Sequence, residues 1–358
     1  MDNVALVAIT KHGVELVRSL QPKMPRADVY YMTKFAKGDE TDRQIQMFEG
    51  SVRLLLPELF KRYDGVVMVI SLGAVVRMIA PILKDKKTDP AVVVVDDKAE
   101  FVISVLSGHI GGANDLTREL SDYLQATPVI TTASDVQKTI PVDIFGREFG
   151  WEIEDFTHVT PVSAAVVNEE PVVIVQESGE RAWWKHEKPL PTHFQVVSSC
   201  EEALQQEFQA ALVITHSLLS KSMEEQLLKN GVLYRPKSVY LGMGCNRGTT
   251  AEEIEQVIKN TLEEVGISLL SVKEMATIDL KKDEQGLLEV CEKYNWNFTY
   301  YTPEQLNEIK IDNPSDTVFK YTGAYGVSEP AAKRSAGVDK LLLEKKKSGN
   351  VTISIAVN

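Results

Sequence analysis

Cysteine is scarce in this chain of 358 residues: Cys200, Cys245 and Cys291 stand far apart, and no two form a CxxC pair. That leaves no zinc ribbon, no CxxC redox site and no disulfide framework, and it suits a reducing cytoplasm. Basic charge is short as well, since 39 Lys and Arg face 51 Asp and Glu for a formal net charge of −12 at pH 7. A nucleic-acid binder neutralises phosphate with a basic surface, so that function class is disfavoured. No apolar run approaches the roughly 18 residues of a membrane-spanning helix. The apolar run in the opening MDNVALVAITKHG has only strand length, and an acidic residue stands where a secretory signal is basic. H-E-x-x-H, G-x-S-x-G and catalytic-cysteine signatures are missing, which leaves serine and metal hydrolases without support. The dinucleotide fingerprint and the phosphate loop ending in G-K-[ST] are missing too.

What is present is a globular composition, 44% hydrophobic and 25% charged, at a length that favours two or three domains. Residues 4–9, 29–32, 66–70, 91–95 and 101–106 read as strands. Helical patterns at 14–20, 47–63, 73–81 and from 114 to before Pro128 alternate with them. Apolar strands alternating with helices predict a parallel sheet covered on both faces, hence an N-terminal doubly wound, mostly parallel α/β domain over 1–135. Residues 136–236 are less patterned and read as a smaller middle domain, with strands near 171–176 and 211–214. Proline and charge at 234–237 mark its end. Alternation then resumes, predicting a second α/β domain over 237–358 with helices at 250–265 and 284–294 and a helix from Ser328 capped by its own hydroxyl. The lysine-rich stretch 340–347 reads as a solvated helix face.

Residues 104–116, SVLSGHIGGANDL, place Ser107 and three glycines, Gly108, Gly111 and Gly112, between a strand and a helix. Glycines let the backbone approach a ligand, and the N–H groups opening a helix favour an anion. His109 adds a side chain that moves protons near neutral pH, against the alternative of a structural histidine. Asn114 fits the cap of a helix beginning at Asp115. Gly73, Arg77 and Lys87, with Lys84 and Lys86, offer a local basic rim, against the alternative of a solvated loop. Gly244, Asn246 and Arg247 repeat the strand, glycine turn and helix device, with Thr249 or Thr250 as cap, and Ser328, Glu329 and Lys333 follow a third such turn. Three turns of this kind favour a large ligand held between units, because open α/β sheets bind ligands beyond the carboxyl ends of their strands.

The segments KTDPAVVVVD (87–96), SGHIGGAN (107–114), TTASD (131–135) with Val142-Asp143, GMGCNRG (242–248) and VSEPAAK (327–333) resemble, in order and spacing, the cobalt-precorrin-5A hydrolase family, the G proteins of anaerobic cobalamin biosynthesis. The resemblance runs along nearly the whole chain and is weakest between about 150 and 235. Ser134 and QKTIP (137–141) depart from the family's usual wording. The resemblance implies an enzyme that opens the ring A δ-lactone of a cobalt corrinoid and releases a two-carbon fragment as acetaldehyde. The C-terminal part also resembles a short stand-alone protein of the aerobic pathway, which hints at a corrinoid-binding unit. For such a substrate, Gly73, Arg77, Lys87, Ser107, Gly108, Gly111, Gly112, Asn114, Gly244, Asn246, Arg247, Ser328, Glu329 and Lys333 are expected to hold the macrocycle's carboxylates. His109 is expected to act as general base toward water, amides of Gly111 and Gly112 to stabilise the oxyanion, and Asp135 or Asp143 to move the second proton. Cobalt arrives with the substrate, so no protein-bound metal and no organic cofactor are expected. The resemblance leaves room for transient contact with neighbouring pathway methyltransferases, and a non-catalytic corrinoid carrier of the same pathway stands as the alternative.

Overall fold

The computed structural model describes residue 1 and residues 3–358, and the chain divides into two compact units, 1–144 and 145–358. Strands β1 (Val4–Ala8), β2 (Ala27–Met32), β3 (Gln46–Phe48), β4 (Gly65–Val69), β5 (Ala91–Val95), β6 (Phe101–Leu106) and β7 (Thr127–Val129) form the sheet of the first unit, in the order β3-β2-β1-β4-β5-β6-β7. Its helices are α1 (Lys11–Leu20), α2 (Val52–Arg62), α3 (Leu72–Ile79), α4 (Ala113–Leu124) and the short α5 (Ala133–Gln137). Successive strand residues point to opposite faces, and both faces of β1 are covered. Leu6 and Ala8 pack with Val14, Val17 and Leu20 of α1 and Leu116 and Leu120 of α4. Ala5 and Val7 pack with Leu56 and Leu59 of α2 and Val75 and Ile79 of α3. The unit is doubly wound, as its strand runs predict.

One strand breaks the parallel pattern, and it fixes where the site lies. β1, β2, β3, β4 and β5 pair in parallel, but β6 runs antiparallel to β5, with Leu106 opposite Val92, and β7 is parallel to β6. The link from β5 to β6 is too short for a crossover helix and can only reverse the chain. Asp96 builds this turn by accepting the amides of Lys98 and Phe101 at 2.9 and 2.5 Å, and Ala99 takes a left-handed φ of 58°. The carboxyl ends of β6 and β7 therefore share an edge with the amino ends of β4 and β5. The helix predicted over 47–63 is likewise corrected: 47 and 48 belong to β3, Gly50 turns the chain at φ 76°, and Ser51 caps α2 by accepting the Arg53 amide.

The second unit carries two sheets. Strands β8 (Glu152–Ile153), β9 (Val172–Gln176), β10 (Phe194–Val197), β11 (Ala210–Ile214) and β12 (Gly231–Arg235) pair in the order β10-β9-β11-β12-β8. Strands β13 (Val239–Cys245), β14 (Val272–Ile278), β15 (Asn297–Tyr301), β16 (Leu343–Ser348) and β17 (Val351–Val357) pair in the order β15-β14-β13-β17-β16. The weakly patterned middle region is thus a regular sheet. Arg235 is fully buried there, donating to the Thr215 and Ser217 carbonyls and pairing with Glu154. His216 Nδ1 lies 2.9 Å from Ser238 Oγ, and its carbonyl accepts the Ser268 amide.

Two further expectations are corrected in this unit. Ser328 does not cap its helix, Ser328–Ala336; its hydroxyl accepts a hydrogen bond from Ser354 at 2.9 Å in the interior. Residues 343–347 form an edge strand rather than a helix face, where lysines discourage pairing with another chain. Thr250 does cap the helix Ala251–Glu264, through the Glu253 amide. Among the described residues no helix is long and apolar enough to cross a membrane.

Gly242 lets the helix Ser328–Ala336 lie directly on β13: a Cβ there would fall 1.8 Å from the Ser328 carbonyl oxygen, backbone that cannot swing aside. Gly242→Ala is expected to lower the unfolding free energy by about 1–3 kcal/mol, read from urea denaturation, whereas an unchanged midpoint would mean that the helix rides free of the strand.

Candidate functional site

The chain leaves β6 through a loop that closes on itself. Ser107 takes a left-handed φ of 57°, its hydroxyl donates to the Asp89 carbonyl at 2.9 Å, and its own carbonyl accepts the Ala113 amide at 3.1 Å. The Gly108 carbonyl accepts the Asn114 amide, and the His109 carbonyl accepts the Gly112 amide, both at 3.0 Å. Glycine is required at 111 and 112 for different reasons. A Cβ on Gly111 would meet Ser107 Cβ at 2.4 Å, and Gly112 opens α4 at φ 80°. The Gly112 amide is thus already spent inside the loop, so it is not the oxyanion donor that the sequence led one to expect.

This loop delivers His109 between two carboxylates. Nδ1 lies 2.9 Å from Asp143 Oδ1, Nε2 lies 2.8 Å from Asp135 Oδ2, and Ser134 Oγ is 3.2 Å from Nε2. Two ionised carboxylates each need a donor, so this arrangement favours protons on both ring nitrogens, the imidazolium form. The Asp143 hydrogen bond, aided by Asp135 and opposed by burial, raises the His109 pKa above its ordinary value. A general base needs a bare lone pair, and neither ring nitrogen offers one while both aspartates hold it.

Asn114 is buried and is not a cap. It lies inside α4, accepts from the Ser104 hydroxyl at 2.7 Å, and donates through Nδ2 to Thr132 Oγ1 at 3.0 Å and Asp135 Oδ2 at 2.9 Å. A Cβ on Gly108 would sit 2.8 Å from its side-chain oxygen. The structure therefore brings His109, Asp135, Asp143 and Asn114 together. It adds Ser134, whose hydroxyl faces Nε2, and Arg118, which pairs with Asp135. Arg118 stands four residues after Asn114 on α4, the spacing that puts both on one helix face and the one sequence signal that points to it.

The other expected residues fall elsewhere. Lys87 lies in the turn before β5, its amide donating to Asp85, on the edge of the sheet that carries the His109 loop. Gly73 follows β4 and so lies at the opposite edge. The Arg77 guanidinium folds back onto the Gly73 carbonyl at 3.0 Å, so these two do not join the histidine. In the second unit Gly244 ends β13, and Asn246 donates to Asn350 through both its amide and its side chain. Arg247 is held by Asp283, the Leu280 carbonyl and Glu284. Ser328 is buried against Ser354, while Glu329 and Lys333 line a cavity of about 220 Å³ with Asp312, Asp339, Lys340, Leu341 and Glu344. Burial pushes the thiols of Cys200 and Cys291 up to about 12, which keeps them from serving as thiolate nucleophiles at neutral pH.

Because the folded pKa of His109 is raised, its charge stabilises the fold fully below the unfolded value of about 6.5 and loses that effect as pH rises through the folded value. The stability gap between the native chain and His109→Gln is therefore expected to be full below about pH 6.5 and to shrink as pH rises from there through the raised folded value, as measured by urea denaturation. A gap independent of pH would show that the ring is neutral in the fold.

Family models for the Cobalamin synthesis G N-terminal, the Cobalamin biosynthesis central region and the Cobalamin synthesis G C-terminus match residues 55–135, 140–236 and 239–356. The chain is 65% identical to the Cobalt-precorrin-5A hydrolase of Priestia megaterium, over 99% of this chain and 94% of that one. It is 30% identical to the Cobalt-precorrin-5A hydrolase of Salmonella typhimurium, over 99% and 98%. Protein CobE of a Sinorhizobium species is 31% identical over 32% of this chain and 77% of its own length. From identity at this level along its whole length, the chain belongs to the cobalt-precorrin-5A hydrolase family, enzymes of cobalamin biosynthesis.

Proposed function

We propose that this enzyme hydrolyses the ring A δ-lactone of cobalt-precorrin-5A and releases acetaldehyde to give cobalt-precorrin-5B. The observation that carries the assignment of roles is the ring of His109 suspended between Asp143 and Asp135, an arrangement that favours the imidazolium. Asp143 orients the ring from Nδ1. The lactone carbonyl, on entering, takes the Nε2–H in place of Asp135, so that positive charge meets the oxygen on which negative charge develops. Asp135, freed from Nε2, takes a proton from the attacking water.

The water oxygen bonds to the acyl carbon, the acyl carbon–ring oxygen bond breaks, and Nε2 delivers its proton to the departing oxygen. The proton on Asp135 then returns to His109 across the short gap they share. In the second stage Asp135 takes the proton of the new alcohol, its C–O bond becomes the aldehyde carbonyl, and the adjacent carbon–carbon bond breaks with its electron pair entering the electron-poor macrocycle. The proton left on Asp135 passes to solvent as the site reopens, so that one water enters and one acetaldehyde leaves. Cobalt travels with the substrate, and no organic cofactor takes part.

Single-turnover reactions with cobalt-precorrin-5A, trapping acetaldehyde as a hydrazone, test this directly. His109→Gln and Asp135→Asn are each expected to slow release by roughly 10²–10⁴-fold while still binding the corrinoid. An imidazolium that must carry its proton predicts a rate that falls on the alkaline side, as pH passes the raised His109 pKa. A rate that falls instead on the acidic side would assign His109 as the base, and a wild-type rate in His109→Gln would remove it from the chemistry.

A further inference from the structure

The position of Asp135 is not set by the sheet, since α5, which carries it, is only five residues long. It is held from outside by α4. Asn114 and Arg118, one helical turn apart, reach the same carboxylate: Asn114 Nδ2 donates to Oδ2 at 2.9 Å and Arg118 Nη2 donates to Oδ1. The other terminal nitrogen of Arg118 donates to Asp115 at 2.9 Å. The Arg118 side chain is 47% exposed whereas that of Asp135 is 18% exposed, so the arginine covers the carboxylate from the solvent side.

We propose that Arg118 is a positioning residue of this enzyme: with Asn114 it clamps both oxygens of Asp135, fixing the oxygen that meets His109 Nε2 and offsetting the charge that Asp135 presents to the ring. The proposal rests on the acid–base reading given above, but its first test needs no corrinoid. Among the described residues, the ion pairs running out from His109 bring in Asp143 across Nδ1, Asp135 across Nε2 and, behind Asp135, Arg118 and Asp115. Arg118 is the one cation of that set besides the ring itself. Its removal takes away the cation on Oδ1 while Asn114 still holds Oδ2 toward the ring, leaving more negative potential there, which favours the charged ring.

Titration of the ¹⁵N-labelled histidines by NMR in the wild type, Arg118→Gln and Arg118→Lys reads this out. Arg26→Gln is the control, because Arg26 pairs with Glu119 on the same helix and away from the histidine. The His109 titration is expected to move up by roughly half a pH unit or more in Arg118→Gln, to return toward the wild-type value in Arg118→Lys, and to stay in place in Arg26→Gln. In single turnover Arg118→Gln is expected to lose on the order of 10–10²-fold in rate with corrinoid affinity retained, and Arg118→Lys to recover part of it. The same spectra show whether each variant is folded. Coincident His109 titrations in folded wild type and Arg118→Gln overturn the proposal, as does a wild-type turnover rate in Arg118→Gln. Failure of the acid–base reading has its own signature, a wild-type rate in His109→Gln.

Discussion

One imidazole ring between two carboxylates governs this site. An imidazolium with Asp143 on one nitrogen and Asp135 on the other is stable only where the geometry is good and the remaining oxygens are satisfied, because charges taken from water lose more than they gain in a loose pair. The surrounding residues supply that satisfaction. Asn114 and Arg118 donate to Asp135, Thr132 receives the second proton of the Asn114 amide, and Ser104 donates to the Asn114 oxygen. Asn114 and Arg118 stand on α4, Ser104 on β6 and Thr132 just before α5, so the chemistry rests on how β6 leads into α4 and on where β7 delivers α5.

That junction exists because the sheet is mixed. In an all-parallel sheet the segment after β6 would leave from the edge where β1 and β4 end, together with Gly73. Reversal of β6 by the tight turn at Asp96 sends the SGHIGGAN loop to the other edge, beside the turn that precedes β5. β7, parallel to β6, ends at that same edge and brings Thr132, Ser134 and Asp135 within reach of the ring. The glycines of the loop are space requirements of this closure. Gly111 packs on Ser107 and Gly108 on Asn114, and the amides opening α4 are consumed by loop carbonyls instead of waiting for an anion.

Apolar strand runs such as AVVVV at 91–95 and the amphipathic stretch after His12 were enough to predict a doubly wound unit. His109, Asp135 and Asp143 were legible as a set only through the resemblance to a known family, and they meet in space. What stayed hidden depends on contacts between distant residues. The antiparallel sense of β6 follows from the length of a turn rather than from any pattern of its own, since 101–106 reads equally well in either direction. Asn114 looked like a cap because cap and buried amide share the same place after a glycine turn, and only the partners from β6 and α5 distinguish them. Arg118 carries no local mark beyond its four-residue offset from Asn114. The lysines of β16 looked helical because an edge strand tolerates a polar pattern that a central strand would not.

The central claim is the protonation state of His109 in the resting enzyme. The two ring nitrogens of ¹⁵N-labelled His109 report it directly at neutral pH. Held between Asp143 and Asp135, both are predicted to show the chemical shift of a protonated imidazole nitrogen and to keep it to higher pH than an ordinary histidine does. One nitrogen at the shift of a bare lone pair at neutral pH, with the ring still in contact with both aspartates, would contradict the account and return His109 to the role of a base.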